Sequence, residues 1–214
     1  MDAGLVAERV DEARRRIERA AAAPVTVVAV TKGFGSGAVV AALQAGLADI
    51  GENYAHELLA KLASAPPGIR WHFLGALQRN KLAGLAPHVH LWHSLDSGRR
   101  ARALALCRPG APVLVEVRVA GVAPRLGVPP AEVPGLVEVA AAAGLEVRGL
   151  MAVGPRGAES GEVRAAYRGV ARLARSLGLK ELSMGMSADF ELAVAEGATI
   201  VRLGEALFGQ RRGG

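Results

Sequence analysis

Aromatic residues are scarce in this 214-residue chain, at 4%, and no apolar run approaches the roughly 20 residues that a membrane-spanning helix needs. The second absence excludes a helical membrane protein. The first argues against a binder of single-stranded nucleic acid, which needs aromatic faces for stacking and cations gathered on one side. The chain is basic, with 26 Lys and Arg against 20 Asp and Glu. Apart from "RRR" at 14–16 and "RR" at 211–212, however, the cations are dispersed and read as solvated helix faces. One cysteine, Cys107, excludes an internal disulfide and a cysteine metal cluster. It is expected to be a small buried hydrophobe rather than a nucleophile. The opening "MDAGLVAERVDEARRRIERAAAA" places acids and arginines at helical spacing and lacks a signal-peptide core, so a soluble cytoplasmic protein is expected. No Pro-, Gly- or Ser-rich linker divides the chain, and a single domain over 1–214 is expected.

What is present is alternation. An amphipathic helix over 1–22 is followed by strand candidates at 25–31, 48–52, 70–75, 88–94, 112–119, 146–153, 181–185 and 199–203. Helical stretches fall between them at 37–46, 54–63, 79–85, 97–107, 130–143, 160–176 and 187–196. Alternating elements imply parallel strands joined by right-handed crossovers. Eight strands suggest closure over 25–209 as an α/β protein of the (β/α)8 barrel type, with an open doubly wound sheet as the alternative.

In such barrels chemistry collects at the carboxyl ends of the strands. Strand one ends at Lys32, between the apolar "VVAVT" and the glycines of "GFGSG". Strand seven ends in "SMGMS" and strand eight in "RLGEALFG". Gly185 and Gly204 would allow close backbone approach to a ligand. Ser187 offers a hydroxyl at the expected start of a helix, although "SADFE" also reads as an ordinary cap. A lysine on the same rim can form an imine with an aldehyde once part of it is neutral, which burial and a cation such as Arg202 promote. Lysine, anion cradle and arginine together point to pyridoxal 5′-phosphate (PLP).

The segments "AVTKG", "GENY", "WHFLGALQRNK", "HSLDS", "GLMAVG" and "LSMGMSADFELAVAEGATIVRLGEALFG" resemble, in this order and over about 25 to 209, the pyridoxal phosphate homeostasis protein family. These are PLP-binding barrels of the alanine-racemase N-terminal type. The resemblance implies Lys32 as the Schiff-base lysine, and Ser187 with the backbone at Gly204 and Glu205 as the phosphate site, near Met186. It further implies Arg202 as the partner of the pyridine nitrogen, and Asn53, His72 and Gly75 close to the ring. Two positions depart from the pattern. Glu205 stands where a small hydroxyl residue is frequent, and its carboxylate is expected to point away from a phosphate. Arg125, in "APRLG", stands where a lysine is common, and arginine forms no imine.

An arginine can only donate to the ring nitrogen, which therefore stays largely unprotonated and a weaker electron sink. Racemisation needs a second acid/base, which the racemase relatives carry as a tyrosine on an additional C-terminal domain. The sequence ends at Gly214, so that domain is expected to be missing. Tyr54 is expected to pack, and Tyr167 to lie in a helix. The expectation is a carrier or regulator of PLP with little or no turnover, and a weak PLP-dependent racemase as the alternative. PLP-dependent apoenzymes or free amino acids are its expected partners, with no nucleic acid, no membrane and a monomeric state. "HVHLWH" raises a metal hydrolase. His88 and His90 share a strand face, but His93 is expected on the other face, and structural histidines with no metal site are the expectation.

Overall fold

The computed structural model describes residues 1–119, 127–155 and 157–210. Helix α1 (Ala3–Ala20) is followed by β1 (Thr26–Val30), α2 (Ser36–Gln44), β2 (Asp49–Glu52), α3 (Ala55–Leu62), β3 (Arg70–Phe73) and α4 (Arg79–Leu85). Then come β4 (Val89–Leu95), α5 (Gly98–Cys107), β5 (Pro112–Glu116), α6 (Val133–Ala142), β6 (Glu146–Met151) and α7 (Ser160–Ser176). The order closes with β7 (Glu181–Ser183), α8 (Phe190–Ala195), β8 (Ile200–Leu203) and the short α9 (Glu205–Phe208). Every strand pairs in parallel with its successor and β8 returns to β1, so the sheet is a closed barrel in sequence order. The open-sheet alternative is excluded.

Strand alternation sorts the side chains into two layers. Val27, Ala29, Ile50, Trp71, Phe73 and Trp92 belong to the main core beneath the helices. Val28, Leu91, Leu114, Met151 and Ile200 form a separate cluster inside the barrel. Because helices cover the outer face and side chains fill the inner one, the strands are apolar on both, as parallel strands generally are. Helix α1 buries Val6, Val10, Ala13 and Ile17 and packs on α2, α8 and α9. Its Arg16 holds Glu191 through Nε at 3.1 Å and Nη2 at 2.6 Å, across the closure between β8 and β1.

The register at that closure sets Val28 opposite Arg202 and Ala29 opposite Leu203. Lys32 and Gly204 therefore emerge on one rim from adjacent strands. Among the described residues, no helix is long and apolar enough to cross a membrane.

Candidate functional site

Lys32 is half-buried just past β1, and the backbone on both sides of it is fixed by its neighbours. Thr31 Oγ1 donates to Glu52 Oε1 at 2.5 Å. Lys61 Nζ donates to Thr31 O at 2.8 Å and to the same Glu52 oxygen. Gly33 N donates to Glu57 Oε2 at 2.8 Å. Glu52 and Lys61 are both buried. Burial pushes the Glu52 carboxyl upward even against the hydrogen bonds from Lys61 and Thr31. Lys32 thus sits on backbone that is clamped rather than loose.

On the neighbouring strands, Asn53 Oδ1 is buried and has no hydrogen-bond partner among the described residues. That is a costly arrangement for protein alone. A Cβ at Gly75 would lie 1.8 Å from Asn53 O, so only glycine lets the ends of β2 and β3 approach this closely. Ser94 Oγ donates to Gly75 O and fixes the third strand end.

The turn after β7 differs from the expected helix start. Helix α8 begins at Phe190, and Ser187 lies in the preceding turn. Its hydroxyl accepts from Ala206 N at 3.0 Å, joining the turn after β7 to α9 after β8. Asp189 organises this turn. It accepts from Met186 N at 2.7 Å through Oδ1 and from Tyr167 Oη at 2.7 Å through Oδ2. Gly185, at φ +89°, would place a Cβ 2.7 Å from Ala193 Cβ and 2.8 Å from Phe190 Cα. Its missing side chain makes room for α8, not for a ligand. Met186 and Gly204 are partly exposed, and the Glu205 side chain is exposed.

Arg202 is buried beneath this rim. Nη1 donates to Ser183 O at 2.7 Å and Ser183 Oγ at 2.6 Å, and Nη2 to Ala152 O at 3.0 Å. None of these partners is a carboxylate, and burial lowers the guanidinium's affinity for its proton. From Ser183 a chain of contacts descends through the barrel. Ser183 Oγ meets His93 Nδ1 at 3.0 Å, and His93 Nε2 meets His72 Nδ1 at 2.9 Å. His72 Nε2 meets Asp49 Oδ1 at 3.0 Å, and Arg70 grips Asp49 with Nε at 2.8 Å and Nη2 at 2.6 Å. Burial opposes the charge on Asp49, but the hydrogen bonds from His72 and Arg70 outweigh it and hold the carboxyl well below its usual range. Burial, with His72 and Arg202 nearby, keeps His93 well below the usual histidine range.

His72 therefore has both ring nitrogens engaged by protein, and it supports the site from below rather than lining it. Glu116, inward at the end of β5, was not apparent in the sequence. Burial, with Asp96 adding repulsion against the pull of Arg202 and Arg100, pushes its carboxyl up to about 7. The signal for it was a polar residue at an inward position of the apolar run "PVLVEV".

Other expectations need correction. His93 does not face away from His90. The register slips between Trp71 and His72 and again between Trp92 and Leu95, and both rings turn to His72, at 5.7 and 5.1 Å between centroids. His88 is exposed, and no group of three His, Cys, Asp or Glu among the described residues is arranged to hold a metal. Cys107 is exposed, because it ends α5 beyond Leu104, the last residue of the helix's buried face. Tyr54 is 53% exposed rather than packed, whereas Tyr167 is fully buried. Arg125, Arg211 and Arg212 lie outside the described residues.

The fold is a closed (β/α)8 barrel with its candidate site at the carboxyl-end rim. The family model "Alanine racemase, N-terminal domain" matches residues 2–212. A pyridoxal phosphate homeostasis protein of Pseudomonas aeruginosa is 42% identical, covering 96% of this chain and 96% of that protein. One of Deinococcus radiodurans is 44% identical over 88% of this chain and 90% of that protein. The structure of PipY of Synechococcus elongatus with PLP bound superposes with a TM-score of 0.82 at 34% identity, covering 95% of this chain and 100% of that one. The chain belongs to the alanine racemase N-terminal domain family and, within it, to the pyridoxal phosphate homeostasis proteins.

Proposed function

We propose that this protein binds PLP at the carboxyl-end rim of the barrel and takes part in PLP homeostasis, with little or no amino-acid turnover. The observation that carries the reading is the pairing of a clamped strand-end lysine with a buried arginine on the adjacent strand. Lys32 would hold the aldehyde end, and Arg202 would donate to the ring nitrogen. Ser187, Met186 and the backbone of Gly204 and Glu205 would receive the phosphate, and Asn53 would lie beside the ring. The residues fit such a group. Among the described residues, Asn53 Oδ1 lacks a protein partner, and Arg202 makes three N–H bonds out of the five a guanidinium carries.

When bound, PLP supplies an electron-withdrawing ring that stabilises negative charge at a carbon attached through its aldehyde position. An arginine partner limits that capacity, because a donor fixed in its protonated form leaves the ring nitrogen unprotonated. The names of the relatives agree with a homeostatic role. Exchange with free amino acids or with PLP-dependent apoenzymes follows from a linkage that opens reversibly. We read the protein as a cytoplasmic monomer of one domain.

One observation favours a second reading, a weak PLP-dependent racemase. Glu116, with its carboxyl at about 7, is a proton-exchanging group near the mouth of the barrel. Titration of the purified protein with PLP, followed by absorbance, should show saturable uptake at one site that Lys32→Ala abolishes. Incubation of the loaded protein with D- and L-amino acids should then give no steady-state interconversion. Sustained racemisation dependent on Glu116 would favour the second reading. Unsaturable uptake would defeat both.

A further inference from the structure

Four buried side chains connect Arg202 to the opposite end of the barrel, and their donors and acceptors match in only one direction when each imidazole carries a single proton. Arg202 can only donate, so Ser183 Oγ accepts from it at 2.6 Å. The Ser183 hydroxyl must then place its own proton. Within the buried interior the ring nitrogen beside it is His93 Nδ1 at 3.0 Å. At the far end the Asp49 carboxylate only accepts, and His72 Nε2 points at it at 3.0 Å. Between them His93 Nε2 and His72 Nδ1 lie 2.9 Å apart. A proton on His93 Nε2 satisfies both rings at once. A proton on His93 Nδ1 would leave the Ser183 hydroxyl without an acceptor, and a singly protonated His72 would then turn a bare nitrogen either to His93 or to the Asp49 carboxylate. Which nitrogen of a histidine holds the proton is set by what the other one meets, and here both meetings agree.

We propose that Ser183, His93, His72 and Asp49 form a one-way hydrogen-bond file that fixes the Arg202 guanidinium for the ring nitrogen of PLP. These four are positioning residues for cofactor binding. The proposal rests on the reading of Arg202 as the ring-nitrogen partner. All four are buried, and Arg202 with them. The file is anchored below by the two-point Arg70 contact with Asp49, beside a cavity of about 650 Å³ at the amino end of the barrel that Asp49 and Arg70 line. A guanidinium held only by a hydroxyl and two carbonyls has no opposing charge to fix its angle. The file does so by giving the hydroxyl a single orientation. Neutral imidazoles set no carboxylate against Arg202 itself, because the charge of Asp49 is met by Arg70 at the far end, and the remaining N–H groups of the guanidinium stay available to the electron pair of a ring nitrogen.

Two measurements test this. The first needs neither PLP nor a variant. NMR of the unliganded protein with isotope-labelled histidine should show His93 and His72 both carrying the proton on Nε2, with Nδ1 bare. A proton on Nδ1 of His93 would overturn the file. The second uses His93→Leu, together with Ser183→Ala, which deletes one hydroxyl and is the milder change should the first variant fold poorly. Each should release PLP roughly fivefold faster than the unmodified protein and shift the resonance of an isotope-labelled PLP ring nitrogen, while Lys32 remains the modified residue. Leu114→Ala, a packing change in the same interior, should leave that resonance unmoved. Release and resonance unchanged in Ser183→Ala would overturn the positioning role. Failure of the unmodified protein to take up PLP would instead overturn the functional reading, and the histidine tautomers would still decide whether the file exists.

Discussion

Two parts of the barrel interior lie side by side and obey different physics. One part is apolar, where Val28, Leu91, Leu114, Met151 and Ile200 meet. The other is the polar file from Arg202 to Asp49. Both point inward from strands of the same sheet, and both are shut off from water. The apolar part is stabilised by burial alone, and its members are interchangeable with others of similar volume. The polar part gains little net stability, since each group gives up water for one partner, and a missing partner is expensive. What the polar part supplies is direction. An apolar cluster cannot orient a guanidinium, and a file of matched donors and acceptors can. The same contrast recurs outside the barrel, where Lys61, Glu52 and Glu57 hold the backbone on either side of Lys32.

The largest effect should come from breaking a buried pair in that outer cluster. Lys61→Met leaves Glu52, which is 0% exposed, without its cation and should cost about 4 kcal/mol in chemical denaturation. A loss below about 1 kcal/mol would place this pair with surface ion pairs. Next comes the apolar part. Leu114→Ala removes a fully buried side chain and should cost about 3 kcal/mol, with PLP affinity within about twofold of the unmodified protein once stability is allowed for.

Glu116 should give an effect of opposite sign. Its folded-state carboxyl lies at about 7 against an ordinary 4.5, so the native state binds the proton more tightly than the unfolded chain does. Its contribution to stability is therefore present at low pH and is lost as pH rises from about 4.5 to about 7. Glu116→Gln should flatten this part of the stability curve and make the variant about 2 kcal/mol more stable than the parent at pH 8, as read from denaturation midpoints across pH. The smallest effect is expected at the rim. Ser187→Ala removes the acceptor for Ala206 N and should cost about 1 kcal/mol of stability, with PLP binding weakened roughly fivefold. Equal stability with unchanged PLP binding would remove Ser187 from the site.

The architecture was legible because apolar strands and amphipathic helices carry different periods. All eight strands fall where the pattern puts them, with ends differing by at most three residues. Local competition defeated the finer detail. Ser187 has the chemistry of a helix cap, yet its hydroxyl is taken by Ala206 of α9, and α8 starts at Phe190. Helix α9, four residues long, has too few turns to show a period. The rim lysine and arginine were legible from strand ends and from the family resemblance. The file was not, because its partners are brought together only by closure. Ser183 meets His93 across 90 positions of sequence, and the facing of His93 depends on register slips that alternation alone does not reveal. Glu116 was hidden for a related reason, since its carboxyl is raised by burial and by Asp96 from a different strand end.

The central claim is that the amine following the first strand carries the vitamin. Reduction of the PLP-loaded protein with borohydride, then proteolysis and mass mapping, reads it directly. The label should fall on the peptide containing Lys32 and on no other lysine peptide, at close to one per chain. Label spread over Lys61, Lys81 and Lys180, or none fixed at all, would contradict it.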